Sequence, residues 1–319
     1  MLDANTPHVK VPDANAPPRI GFIGTGLIGT PMVQRLLECG LSVAVWNRTS
    51  SKATPLVEHG ATLAESPRAL AAACDIVCLC LTNTAAVQDV VFGAQGIDAV
   101  LRTGQLVIDL SSIAPGTTRE MADTLASGCG ARWIDAPVSG GLPLARAGRL
   151  IVFAGGDIDD IARAAPVFDA LSQRVTHMGA HGAGQLAKSC NQMIVACNLV
   201  AIAEMLAFAR KSGIDATKLP GALAGGFADS LPLQIFGPRM AAGVDSPRIG
   251  GLGTFRKDID QVVRLAGECG AYAPMATRAS EVMLEASRTE SIGADPDVSR
   301  IITLFLERSD SGSAPRSMS

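Results

Sequence analysis

From residue 19 to about residue 182, short apolar runs alternate with helix-length amphipathic segments. The runs Arg19–Ile23, Ser42–Trp46, Asp75–Leu81, Gln105–Leu110, Arg132–Asp135, Leu150–Ala154 and Arg174–His177 are strand-length. Several lack polar alternation, as strands do when a parallel sheet is covered on both faces. Helical stretches such as Pro31–Glu38 and Pro67–Ala73 lie between them. Alternating β and α predicts an α/β doubly wound parallel sheet. Beyond Gly182 the strand signals stop. Gly184 to Lys211 reads as one long helix ended by Gly213, and Lys257–Glu268 and Ala276–Ala286 read as further helices. The expected organisation is a loose tail (1–18), a sheet domain (19–182), an all-helical domain (183–308) and a second loose tail (309–319).

Composition narrows the class. Of 319 residues, 48% are hydrophobic and 18% charged, which excludes general disorder. A net charge of −3 leaves no basic field for nucleic acid or an anionic membrane. The eight cysteines form no C-x-x-C and sit mostly in apolar runs, so they read as small buried hydrophobes in a reducing compartment, with no zinc site expected. The first residues lack the order of a signal peptide, and the apolar stretch Met193–Ala209 is short for a membrane span and interrupted by Asn198 and Glu204. A soluble cytoplasmic protein is expected.

The first strand runs into Gly24-Thr25-Gly26-Leu27-Ile28-Gly29, a G-x-G-x-x-G at a strand-to-helix turn. In a dinucleotide site the first glycine makes the turn, the second admits a pyrophosphate to the backbone, and the third lets helix and strand pack closely. About twenty residues on, where an NAD site usually places a carboxylate for the ribose 2′-OH, the chain has Asn47, Arg48 and Thr49. A guanidinium suits a 2′-phosphate, so NADP(H) is favoured over NAD(H).

Two lysines stand apart from the others, which lie in tails, turns and helix ends: Lys188 and Lys257. Lys188 sits in the first turns of the most apolar helix, where an ammonium is costly unless paired or shifted in pKa. Asn191 and Gln192, three and four residues on, share its face. A second cluster, Ser139, Gly140 and Gly141 after Asp135-Ala-Pro-Val, could offer a hydroxyl and consecutive N–H groups to a carboxylate.

These segments resemble the β-hydroxyacid dehydrogenase family. The match is carried by Gly21–Gly29, Asp109-Leu-Ser-Ser-Ile-Ala-Pro115, Asp135–Gly141, Gly182–Gln192 and Lys257-Asp258, in the family's order across about residues 19 to 306. The resemblance implies a Rossmann domain, a helical domain and an active site between them. It makes Lys188 the catalytic acid/base, Ser139, Gly140 and Gly141 the holders of a substrate carboxylate, and Asn191 and Gln192 the residues orienting the substrate. It has Lys257 reach across to the cofactor, with Leu81 and Ser112 bordering the nicotinamide. Ser111–Pro115 and Asn191-Gln192 look most similar to the family's tartronate semialdehyde reductases. The 3-hydroxyisobutyrate dehydrogenases and glyoxylate/succinic semialdehyde reductases remain alternatives, as does a non-catalytic cofactor-binding scaffold. Implied partners are a small carboxylate-bearing substrate and further copies of the chain in a homodimer or homotetramer. Phe227, Asp229 and Ser230 are candidate substrate contacts in the helical domain.

Overall fold

The computed structural model describes residues 17–294 and 296–310; the two expected tails lie almost wholly outside them. Nine strands form one sheet: β1 (Ile20–Ile23), β2 (Val43–Trp46), β3 (Thr62–Leu63), β4 (Ile76–Leu79), β5 (Leu106–Asp109), β6 (Arg132–Asp135), β7 (Val138–Ser139), β8 (Leu150–Gly155) and β9 (Ser172–Gly179). The order β3-β2-β1-β4-β5-β6-β8-β7, with β9 added against β8, reverses direction of winding at β1. In such sheets ligands bind in the crevice beyond the carboxyl ends of the strands at this switch point.

The pairings β1–β2, β1–β4, β2–β3, β4–β5 and β5–β6 are all parallel. The far edge departs from the expected parallel sheet, since β8 runs antiparallel to β6 and β7, and β9 follows β8. The reason is local. The chain reverses through Pro137 to Ala147, where β7 and the short helix Gly141–Arg146 take up only a few residues, too few for a right-handed crossover back to a parallel neighbour.

Both faces of the central strands are covered. Phe22, Ile108 and Ile134 point into one layer with Met32, Leu36 and Phe168, while Ile23, Val77, Val107 and Trp133 point into the other with Leu70 and Leu125. Full burial of a side chain such as Phe22 contributes about 1.5–3 kcal/mol over exposure.

After Gly179 no further strand follows among the described residues. A 29-residue helix (Ala183–Lys211) leads into the helices Leu231–Ala242, Leu252–Cys269, Pro274–Ala286 and Ile302–Asp310. The last of these extends two residues into the segment expected to be a loose tail. The long helix serves both domains. Its first turns, with Gly184, Gln185, Lys188 and Gln192 buried, lie against the sheet, and its later turns place Leu199, Ala203 and Leu206 in the helical core. Gly184 is there because a Cβ would sit 2.4 Å from the Phe153 carbonyl oxygen and 2.6 Å from that of Asp135. The helix is long and apolar enough to cross a bilayer, with a mean hydropathy of 1.8, but half of that window is buried inside the protein.

Candidate active site

The glycine turn sits at the carboxyl end of β1. Gly24 has φ +104°, and a side chain there would collide with the Cys80 carbonyl; a Cβ on Gly29 would come within 2.0 Å of the Gly24 oxygen. A Cβ on Gly26 would meet nothing within 4 Å, so its backbone faces open space. The Asn47 side-chain oxygen accepts from Thr25 N at 3.0 Å, and its amide nitrogen donates to the Thr49 carbonyl at 2.9 Å. Asn47 thus ties the end of β2 to the turn and braces it. The turn then enters the helix Gly29–Glu38, which has no side-chain cap and leaves its first N–H groups for a ligand. Thr25 Oγ1 is buried without a partner beside it. Arg48 is exposed beyond Asn47 and makes no hydrogen bond or ion pair among the described residues. Leu27 is 43% exposed on the outer side of the turn and Ile28 is half-buried.

The carboxyl ends of β4 and β5 form the next stretch of wall. Leu81 N donates to Ser111 Oγ at 2.9 Å, and Ser111 N donates to Asp109 Oδ1 at 3.0 Å. Asp109 is fully buried, its Oδ2 has no partner, and it lies opposite Asp135 in the β5–β6 register. Burial pushes its carboxyl up to about 7 against the opposing pull of Ser111. Asp135 caps the long helix by accepting from Gly182 N at 2.8 Å and Gln185 N at 3.0 Å. Its carboxyl is also raised, burial outweighing those two N–H groups.

The other wall comes from the long helix and from Leu252–Cys269. Lys188 Nζ donates to Gln192 Oε1 at 2.9 Å, one turn on. Burial brings its ammonium down to about 8, with Asp258 opposing the fall and Lys257 adding to it. Asn191 donates to the same Gln192 oxygen at 2.9 Å and accepts from Ser139 Oγ at 3.1 Å, which brings the Ser139–Gly141 loop against the lysine. Gly140 and Gly141 both have positive φ, +125° and +64°, the bend that turns successive N–H groups to one side. The Ser139 hydroxyl, Asn191, Gln192 and Lys188 therefore form one cluster.

Three sets of the expected residues are engaged with the protein itself. Gln192 is engaged with protein at both ends of its amide: besides accepting from Lys188 and Asn191 it donates to Asp258 Oδ2 at 2.6 Å. Lys257 reaches from the helical domain to the ends of β4 and β5, donating to the Ser112 carbonyl at 2.9 Å and the Thr82 carbonyl at 3.2 Å while pairing with Asp258 Oδ1 at 3.0 Å. Asp229 and Ser230 have local work: Asp229 accepts from Gly225 N and Gln234, and Ser230 caps the helix that starts at Leu231, while Phe227 is wholly exposed.

Sequence reasoning named Gln185 and Asp258 only as parts of motifs and missed Gln261. Gln185 accepts from Ile113 N and donates to the Ser111 carbonyl, and Gln261 donates to the Ile113 carbonyl, so both tie the helical domain to the β5 wall. Gln185 carried the signal that exposed Lys188, a polar residue on the buried face of an apolar helix. His181, a titratable side chain seven residues before Lys188, has its Nε2 against the Trp133 carbonyl at 3.0 Å.

A glycine turn at the carboxyl end of β1, and a buried lysine linked through Gln192, Asp258 and Lys257 to the carboxyl ends of β4 and β5, are the parts of a nicotinamide-dependent oxidoreductase acting on a CH–OH group. Residues 19–179 match the family model described as the NAD-binding domain of 6-phosphogluconate dehydrogenase, and residues 182–305 match that described as NAD-binding of NADP-dependent 3-hydroxyisobutyrate dehydrogenase. The chain belongs to this 3-hydroxyisobutyrate dehydrogenase-like family of β-hydroxyacid dehydrogenases. It is 38% identical to 2-hydroxy-3-oxopropionate reductase of Escherichia coli over 70% of its own length and 75% of that protein. It is 33% identical to glyoxylate/succinic semialdehyde reductase 1 of Arabidopsis thaliana over 89% and 96% of the two chains. Among solved structures, Psf3 in complex with NADP+ and 2-OPP superposes with a TM-score of 0.83 at 27% identity, covering 90% of this chain and 99% of that one.

Proposed function

We propose that this protein interconverts a short 3-hydroxy acid and its semialdehyde with NADP(H), in the manner of a tartronate semialdehyde reductase. The observation that carries this reading is Lys188: a buried ammonium, held by Gln192, on the helix face to which Asn191 ties the Ser139–Gly141 loop. The residues present fit the cofactor. The Gly26 backbone and the uncapped helix start can take a pyrophosphate, the orphaned Thr25 hydroxyl can find a partner there, and free Arg48 suits a 2′-phosphate. NADP(H), when bound, gives or takes the hydride.

The chain's own residues do the rest. The N–H groups of Gly140 and Gly141, with the Ser139 hydroxyl once its proton turns from Asn191, hold the substrate carboxylate, which fixes the carbonyl toward Lys188. During reduction the carbonyl oxygen gains negative charge, and the Lys188 ammonium both stabilises that charge and delivers its proton to the oxygen. In oxidation the neutral amine takes the proton from the hydroxyl. Reduction needs the protonated form and oxidation the neutral one. With the Lys188 value near 8, reduction should fall and oxidation rise as pH increases through that value.

Leu186, Ile194 and Phe208 lie 45%, 61% and 68% exposed along the free side of the long helix, and this apolar stripe supports a homodimer or homotetramer. Light scattering that finds only a 32.8 kDa species at micromolar concentration removes that part of the reading.

The deciding experiment follows NADPH oxidation with tartronate semialdehyde, succinic semialdehyde, glyoxylate and methylmalonate semialdehyde. Turnover is expected with tartronate semialdehyde foremost. Tight NADPH binding without turnover of any of the four overturns the enzymatic reading and leaves a cofactor-binding scaffold.

A further inference from the structure

Beyond Lys188 itself, the cleft holds an unbroken hydrogen-bonded chain. Lys188 Nζ donates to Gln192 Oε1 (2.9 Å), Gln192 Nε2 donates to Asp258 Oδ2 (2.6 Å), and Lys257 Nζ lies 3.0 Å from Asp258 Oδ1. Lys257 ends the chain on the carbonyls of Ser112 and Thr82, at the carboxyl ends of β5 and β4. Lys188, Gln192 and Asp258 are each at most 9% exposed.

The order of donors and acceptors admits one arrangement. An ammonium only donates and a carboxylate only accepts, so an amide between them must turn its oxygen to Lys188 and its nitrogen to Asp258. Turned over, the amide would face the ammonium with its NH2 and the carboxylate with its oxygen, losing both bonds in a buried site. Asn191 reinforces the same orientation by donating to the Gln192 oxygen. Four rotatable bonds would let a lysine wander, and this arrangement holds its tip.

We propose that Asp258 is the positioning residue of the proton-transfer step, acting on Lys188 through the side chain of Gln192 without touching the substrate. It rests on the assignment of Lys188 as proton donor. Asp258 also supplies the nearest negative charge. The charged groups around Lys188 are Asp258 and Lys257 on the helix Leu252–Cys269, with Asp135 capping the start of its own helix and Asp109 at the end of β5; of these Asp258 is the one that opposes the effect of burial on the ammonium. Gln192, expected from the sequence to orient the substrate, becomes the link between the two.

The test uses the full chain, with the pH dependence of kcat for aldehyde reduction as the readout. Asp258→Asn keeps an oxygen for the Gln192 amide but removes the charge. The alkaline limb governed by Lys188 should move down by roughly one pH unit, the scale of one partly screened neighbouring charge. Gln192→Leu keeps the charge and breaks the link. Its kcat should fall about tenfold or more, with the limb moving less than in Asp258→Asn. Circular dichroism and melting identify any variant that fails to fold, and the Gln192 result then decides alone. A limb within 0.2 of wild type together with kcat within about twofold for both folded variants overturns the proposal. A structural role alone would lower kcat without moving the limb. Lys188→Ala run beside them separates the two levels: if it retains wild-type kcat, the assignment of Lys188 fails; if it is inactive while Asp258→Asn matches wild type, only the role of Asp258 fails.

Discussion

On the sheet side of the site, the candidate cofactor surface is the backbone of six consecutive residues, Gly24 to Gly29, shaped by two crowded glycines and braced by Asn47. The rest of the site is a network of side chains from three separate segments, Ser139 on β7 and Lys188 to Gln192 and Lys257-Asp258 on two helices, joined by hydrogen bonds between residues 52 and 66 positions apart. The first wall is made by local conformation, and a change there acts through shape. The second is made by charge and donor–acceptor order, and a change there acts through a proton. A dinucleotide needs a fixed surface. Proton transfer needs a group whose affinity for the proton is set by neighbours, and those of Lys188, namely Lys257 and Asp258, come from another helix far along the chain.

The sharpest break of this contrast is Lys188→Ala, which should reduce kcat by about 10²–10⁴ while NADPH affinity by fluorescence titration stays near wild type. Lys188→Arg should also be poor, because a guanidinium with a pKa above about 12 holds its proton. His181→Ala should keep most of the rate, since that ring is committed to the Trp133 carbonyl; the opposite pattern would make the histidine the proton carrier.

Arg48→Asp comes next. Loss of one charge-assisted contact is worth about 1.5–3 kcal/mol, so NADPH should bind roughly ten- to a hundredfold more weakly, and NADH no worse. An unchanged NADPH/NADH ratio would show that the turn after β2 does not read the 2′-phosphate.

Two glycine variants sharpen the claim that the first wall acts through shape. Gly29→Ala places a Cβ 2.0 Å from the Gly24 oxygen and should cost about 1–3 kcal/mol, seen as a lower Tm of the cofactor-free protein. Gly26→Ala meets nothing within 4 Å, so its Tm should stay put while NADPH binding weakens. Equal effects on Tm would mean that the open space at Gly26 is not a ligand's space.

The smallest effect concerns Asp109. Its folded carboxyl, near 7, lies above the ordinary 3.8, so between those values the native state holds a proton that the unfolded chain has lost. Stability should therefore fall as pH rises through that window. In Asp109→Asn this loss is absent, and the variant's Tm relative to wild type should rise by a few °C between pH 5 and 8. A flat difference would mean that the buried carboxyl is ionised throughout.

Much of the first wall was legible because its determinants are contiguous. The apolar run before Gly24, the glycine spacing and Arg48 at the end of β2 all stand within 30 residues. Lys188 was legible for another reason, a charge on the buried face of an apolar helix. Its partner was not, because nothing in the sequence connects Gln192 to Asp258, 66 residues later. The helix Leu231–Ala242 escaped notice since it contains Pro232, Gly237 and Pro238, residues that normally argue against a helix and are accommodated here by packing of Leu233, Phe236 and Met240 into the core. The two-residue strands β3 and β7 are too short for any periodicity, and the antiparallel direction of β8 depends on how tightly the chain turns after Pro137.

The way the long helix begins bears on whether the protein can be divided. The two family models meet near residue 180, which invites expression of each half alone. A sheet half ending there would strand the buried Asp135 carboxylate without the Gly182 and Gln185 N–H groups, and would leave the Ser111 and Ile113 backbone without Gln185. A helical half starting there would lose its only cap and bare the first turns that now lie on β6 and β8. Neither piece inherits a closed set of hydrogen bonds, so the halves should be insoluble when made singly and recover structure only when made together.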